Sequence, residues 1–268
     1  MNETNPGITT MFDTRTDLTR LERWIYYFSR HWILIFSAVL GLYVVFPFLA
    51  PIFMKLDWES PARAIYIIYS FLCHQLPQRS FFLFGPKFTY TLAEVQKAWQ
   101  YTNDPMLLRQ FIGDSLLGWK VAWSDRMVSM FTSLWLFGML WRPLHRWLKS
   151  LPWWGLVLFL FPMAADGVSH FLSDLYGIGQ GFRDSNAWLA ALTNYAFPSG
   201  FYAGDAWGSF NSLMRLLTGI LFGLGIVWFG FPFLDDVYSQ QARYLESRLN
   251  FYRQKKLEVS IRASSGEQ

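Results

Sequence analysis

Residues 32 to 54 read WILIFSAVLGLYVVFPFLAPIFM, a run of 23 residues without one charged side chain. A helix needs roughly 20 mostly apolar residues to cross a bilayer, and inside the bilayer a chain must satisfy its backbone hydrogen bonds internally. This run therefore dictates a transmembrane helix. Residues 151–171 (LPWWGLVLFLFPMAADGVSHF) and 213–233 (LMRLLTGILFGLGIVWFGFPF) meet the same requirement with a few polar residues near one end. Residues 116–141 qualify too, although Asp125 and Arg126 lie well inside. Residues 62–76 are too short, at about 21 Å of helix, and Pro77 ends them. Composition agrees: 20% of the chain is aromatic and only 16% charged, against about a quarter charged in soluble domains. The single cysteine excludes an internal disulfide and any CxxC site.

The basic residues set the topology. Arg15, Arg20, Arg23 and Arg30 precede the first span, Arg142, Arg146 and Lys149 fill a short loop, and Arg243, Arg248, Arg253, Lys255 and Lys256 follow the last span. The positive-inside rule makes all three regions cytoplasmic, so the number of crossings is even. A five-span reading, with 61–84 crossing as a broken helix, would put one basic region outside, and the four-span reading is preferred. The first 31 residues are polar and basic, so no cleavable signal peptide is expected.

The expected fold is an all-α integral membrane protein of a prokaryotic inner membrane. It is a bundle of four transmembrane helices (32–54, 116–141, 151–171, 213–233) with a re-entrant or interfacial half-helix over 62–76. Amphipathic surface helices stand at both termini. Segment 1–31 holds the first of these, with Leu18, Leu21, Ile25 and Phe28 on one face and arginines opposite, suited to a membrane surface. Segment 32–233 is the membrane domain. In segment 234–268, Tyr238, Ala242, Leu245, Leu249 and Tyr252 form a second stripe. That stripe suits lipid, a partner helix of another membrane subunit, or a solvated tail. Residues 86–115 and 172–210 become outer loops, and only ASSGEQ at the end reads as disordered.

This topology carries the ionisable residues of four segments to one depth near the outer side. They are Cys73 and His74 at the end of the half-helix, Asp125 and Arg126, Asp166 and His170, and Asn211 and Arg215. Charges at membrane depth are costly and normally face the protein interior. Each alone has a bland explanation, such as Arg215 snorkelling to the interface, but as a group they point to a site. Asp166, His170 and Asp174 fall at i, i+4 and i+8 on one helix face, and a carboxylate beside a histidine commonly fixes its tautomer for base work or metal ligation. After the half-helix, Gln75 and Arg79 are placed to donate to its last carbonyls.

At these residues the chain resembles a family of predicted prokaryotic membrane proteins described as a domain of unknown function. Cys73-His74-Gln75-Leu76-Pro77-Gln78-Arg79-Ser80-Phe81 is close to that family's CHQxPxRSF signature. Asp166-Gly167 matches its DG element, with His170 where a glutamine is usual, and Asn211-Ser212 through Arg215 to Thr218-Gly219 is similar to its NNxxRxxTG block. The family's CARC element is replaced by Ser124-Asp125-Arg126-Met127, which keeps only the arginine. The resemblance implies a shared site and no particular reaction.

Three functions follow as expectations. The first is an outer-leaflet pocket for an anionic amphiphile, a lipid phosphate or quinone-like head group, bound by Arg79, Arg126, Arg215, Asn211 and Gln75. In it His74, or His170 held by Asp166, would supply a base or nucleophile for hydrolytic or transfer chemistry. The second is a non-catalytic subunit of a larger membrane complex, in which buried ion pairs such as Asp166 with Arg126 fix helix packing. The third is a divalent-metal site from Cys73, His74, Asp166 and His170. Membrane lipid is the expected partner. Nucleic acid is not, since the net charge of +4 lies on flanks where topology alone requires it.

Overall fold

The computed structural model describes residues 17–265, with side chains to Ile261. Arg15 and Thr16 of the first basic flank, and 266–268 of the tail, lie outside the described residues. The helices are α1 (Arg20–Lys55), α2 (Glu59–Ser70), α3 (Leu92–Ala98), α4 (Pro105–Leu108), α5 (Asp125–Leu144) and α6 (Trp153–Asp174), then α7 (Phe182–Ser185), α8 (Ala187–Leu192), α9 (Ser199–Tyr202) and α10 (Phe210–Ser265). Strands β1 (Ser80–Leu83), β2 (Gly113–Asp114) and β3 (Gly118–Ser124) form an antiparallel sheet in the order β1-β3-β2. The protein is thus mostly helical rather than all-α. Among the described residues, three helices are long and apolar enough to cross a membrane: Arg20–Lys55, Trp153–Asp174 and Phe210–Ile261.

Two units divide the chain, one holding everything up to Trp32 and from Leu234 onward, the other Ile33–Phe233. In the first, the start of α1 and the end of α10 pair antiparallel. Leu18, Leu245 and Tyr252 are buried together, Glu22 meets Arg248 at 2.5 Å, and the Tyr238 ring meets Phe28 edge-on and Trp32 at a tilt. The tail stripe therefore lies on the protein's own first helix. Of the apolar face expected there, only Leu18 is buried, while Leu21, Ile25 and Phe28 are exposed. The surface helix and the first span are one element, broken at His31 by non-helical dihedrals (φ −118°, ψ 16°). The tail helix likewise continues the last span and runs through Ser265, past the point where order was expected to end.

The second unit is built on the sheet. Side chains alternate across a strand, so Phe81 joins a core with Ala50 and Met54 of α1, Tyr66 and Tyr69 of α2, and Trp123 of β3. Phe82 points to the other side, into a core with Tyr90, Val95, Leu108 and Phe111.

The sheet corrects one expectation. Residues 116–124 do not begin a span; they turn and become β3. Asp114 Oδ1 accepts from the backbone N–H groups of Leu116 and Leu117 at 2.8 and 2.7 Å, fixing an Asx-type turn. Gly118 follows at φ +78°, where a Cβ would sit 2.3 Å from the Leu83 carbonyl oxygen. The helix starts only at Asp125. The half-helix expected over 62–76 likewise ends at Ser70, and the chain reverses through Gln75 at φ +52°.

Helices α5 and α10 meet through small residues, which let backbones approach closely. A Cβ on Gly219 would lie 2.1 Å from Ser129 Oγ, and one on Gly223 would lie 2.1 Å from Ser133 Oγ. The same two hydroxyls donate to the carbonyls of Arg215 and Gly219 at 3.3 and 3.2 Å.

Candidate functional site

The charged residues singled out within the apolar runs converge. Arg215, in the second turn of α10, faces Asp125, the first residue of α5, donating from Nε and Nη2 at 2.8 Å. Its Nη1 reaches Asp205 at 2.6 Å. Asp205 also accepts from Arg79 Nε at 2.8 Å, and Arg79 places Nη1 and Nη2 on both oxygens of Asp174 at 2.7 and 2.8 Å. Arg126 donates from Nη2 to Asp166 at 2.6 Å, and Arg183 donates to the other oxygen at the same distance. The Arg126 backbone N–H donates to Asp125 at 2.8 Å, which joins the two halves. Four guanidinium groups and four carboxylates thus form one connected, charge-balanced network. Such pairs persist away from water only when each partner is hydrogen-bonded, since desolvation alone costs several kcal/mol per ion.

In the loops the electrostatics follow. Burial works against the charge on Asp205, but Arg79 and Arg215 outweigh it and hold its carboxyl below the usual carboxylate range. Burial likewise opposes the charge on Arg79, and Asp205 and Asp174 overcome it. For Arg183 burial prevails and lowers its pKa; its guanidinium also lies over the Phe210 ring, 5.3 Å from the centroid.

The other expected site residues fall around this network in different ways. His170 and Asp166 are 3.9 Å apart, too far for a hydrogen bond, because Arg183 stands between them and lies 3.1 Å from His170 Nε2. An arginine has only donors, so Nε2 accepts and Nδ1 carries the proton. Nδ1 is buried and has no partner among the described residues. Cys73 Sγ accepts from the backbone N–H groups of Gln75 and Ser124, both at 3.4 Å. His74 is exposed and hydrogen-bonds to nothing among the described residues. Gln75 donates to the carbonyl of Tyr66 at 2.9 Å, which precedes the last four carbonyls of α2. Arg79 donates to none of these; Arg109 donates to that of Ser70, at 3.0 Å. Asn211 fastens the loops, donating to the carbonyls of Arg183 and Gly204 at 2.7 and 2.9 Å and accepting from Asn186 at 3.1 Å. No three His, Cys, Asp or Glu side chains among the described residues gather as a metal-holding set; Cys73, His74, Asp166 and His170 remain apart as ligands.

Sequence reasoning did not reach Arg183, Asp205 and Lys120. The first two lie in the 172–210 loop, where the only signal was their charge in a chain with few charges. Lys120 is fully buried on β3, donating from Nζ to the carbonyls of Gln75 and Arg109 at 2.8 and 2.7 Å. Burial pushes its pKa down to about 7, with the Cys73 sulfur pulling the other way.

A cavity of about 420 Å³ opens beside the network. Cys73, His74, Arg79, Arg126, His170 and Asp174 supply its polar lining, and Leu72, Met127, Phe171, Leu175 and Ile178 its apolar wall. Arg126 keeps donors in reserve here. Its Nε is buried without an acceptor, and its Nη1 lies 3.1 Å from where a Cβ on Gly167 would stand. The arrangement offers guanidinium donors and an exposed imidazole at the edge of a partly apolar chamber.

Residues 114–229 match the model of a family described as predicted membrane protein (DUF2085). That stretch contains seven of the eight charged members of the network, all but Arg79. The chain is also similar to an uncharacterized protein of Methanocaldococcus jannaschii, 24% identical over 221 residues that cover 79% of this chain and 98% of the relative. No solved structure matches. With three helices able to cross a bilayer, the chain is similar to a predicted membrane protein domain of unknown function.

Proposed function

We propose that this chain is a multi-pass membrane protein whose cavity beside Arg126 receives the anionic head group of an amphiphile. A lipid phosphate, a carboxylate or a quinone-like head group has the right chemistry. The observation that carries this reading is Arg126: its Nη2 is spent on Asp166, while Nε and Nη1 lack acceptors among the described residues, at the wall of a chamber that Leu72, Met127, Phe171 and Leu175 also line. A guanidinium N–H gives phosphate or carboxylate a charge-assisted hydrogen bond, and the apolar side of the chamber suits a hydrocarbon tail. His74 is the group left free for hydrolytic or transfer chemistry, since Arg183 engages His170 and Asp166.

The membrane placement belongs to the same reading. Helix α5 is 20 residues, about 30 Å, the thickness of the hydrocarbon core. The two charges of its first turn are neutralised by Arg215 and Asp166 and its third, Arg142, stands in the last turn, so it serves as the fourth crossing. Three basic flanks then put both termini in the cytoplasm of a prokaryotic cell, and the cavity opens toward the outer leaflet.

One observation favours a second reading, a non-catalytic subunit of a membrane complex. The network is charge-balanced, and Arg79 and Arg215 have committed their guanidiniums to carboxylates, as a structural brace requires.

Titrating the purified protein in detergent with oleate and lysophosphatidate, and with neutral monoolein as control, separates the two. Tight binding of an anionic amphiphile is expected, weakened roughly 10- to 100-fold by Arg126→Gln through loss of charged hydrogen bonds. His74→Ala should also weaken binding, with the thermal midpoint unchanged. If neither anionic amphiphile outbinds monoolein, the pocket reading is wrong and the structural one stands.

A further inference from the structure

A second cavity, of about 880 Å³, lies in the other unit, where the two ends of the chain pair. Its floor is apolar: Leu18 and Tyr252 are buried and Leu249 is half-buried. Its rim is aromatic, with Trp24 72% and Tyr27 57% exposed. Its charge is one-sided. Asp17 is answered by Arg23 at 2.6 Å, and this leaves Arg20, Arg253 and Lys256 on the wall, all exposed. None of these three has an ion-pair partner among the described residues. Leu21, Ile25 and Phe28, on the same stretch of α1, are exposed as well.

We infer that this cavity is a binding site for one anionic phospholipid, whose phosphate is held by Arg20, Arg253 and Lys256. Three features commit it to that occupant. The cation set lacks a counter-charge, so the ligand is an anion. The apolar floor and the Trp24 and Tyr27 rim suit a molecule with a polar head and a hydrocarbon body, the habit of interfacial aromatics. The location suits a lipid, because in the sequence the uncharged run begins at Trp32, five positions after Tyr27. The site also unites residues more than 230 positions apart in sequence. It is therefore a formed cavity, where the sequence offered only two separate basic flanks.

Native mass spectrometry of the full chain carrying Arg126→Gln, which disables the cavity of the proposed function and is the background for every variant below, released from micelles doped with phosphatidylglycerol or phosphatidylcholine, tests this. Selective retention of phosphatidylglycerol is expected. The variant R20Q/R253Q/K256Q should lose roughly two orders of magnitude in affinity at low salt, from about tenfold or less per basic contact. All three side chains are exposed, so helix content and the lipid-free thermal midpoint should hold, and Lys256→Gln alone should give a smaller loss. The control R142Q/R146Q/K149Q removes three exposed charges from the end of α5 and the loop after it and should retain the lipid. Equal retention of both lipids by the Arg126→Gln chain, or equal losses in the two triple variants, would overturn the inference. So would retention by R20Q/R253Q/K256Q.

Discussion

Asp205 sits where the network is most vulnerable. It is 5% exposed and accepts from both Arg79 and Arg215, so its removal takes an acceptor from two guanidiniums at once, leaving each with one other carboxylate. Asp205→Asn should destabilise the protein by about 3–5 kcal/mol, the usual cost of breaking a buried pair. Asp174→Asn should cost less, because that side chain is 24% exposed. Thermal melts in detergent rank the two. Arg79→Ala should lower the melting midpoint as Asp205→Asn does.

Lys120 supplies a pH test. Its pKa is about 7 when folded, against an ordinary value of 10.5, so between these limits the unfolded chain binds the extra proton. Stability then rises with pH across that window, by up to about 1.4 kcal/mol per unit, and the gain is absent below pH 7. Lys120→Met should flatten this slope in melts run from pH 6.5 to 10. Half of this chemistry was legible in the sequence. A charge inside an apolar run, such as Arg126, Asp166 or Arg215, announces itself. Asp205 and Arg183 stand in a loop where a charge needs no explanation, and only folding brings them to the others.

At the scale of elements, α5 and α10 are held in register by glycine facing serine. Gly219→Val should lower the melting midpoint by several degrees, because the new side chain enters the space of Ser129 Oγ. Adding Ser129→Ala should return part of the loss and not all, since the Met130 backbone nitrogen is also only 3.0 Å away. If the second substitution returns nothing, the contact is not what sets the helix spacing. Hydropathy found these helices but not where α5 starts. GWKVAWS is as apolar on average as the helix it precedes, so averaging runs the two together. The boundary is written in local chemistry instead: an Asp-led turn, a glycine at positive φ, and an apolar-polar phase that changes at Ser124. Apolar stripes at the ends of α1 and α10 could be read from the sequence, yet their mutual pairing could not, because a stripe does not name its partner.

For the whole molecule the outstanding quantity is the parity of crossings. Four crossings put Tyr101 and the tail on opposite sides of the membrane. In a Cys73→Ser background, Tyr101→Cys should react with an impermeant maleimide from outside intact cells. Ser260→Cys should react only after permeabilisation. Labelling of both from one side would mean that α5 does not cross.

The balanced network has an electrical consequence. A full elementary charge moved across a membrane under 100 mV changes energy by about 2.3 kcal/mol. Four positive and four negative groups that move together do no net work against that field. The brace is therefore blind to voltage, and the resting protein gains or loses nothing through it when the cell polarises. On the proposed reading, an anion beside Arg126 adds an uncompensated charge to this network, so loading should respond to the membrane potential where the balanced network does not.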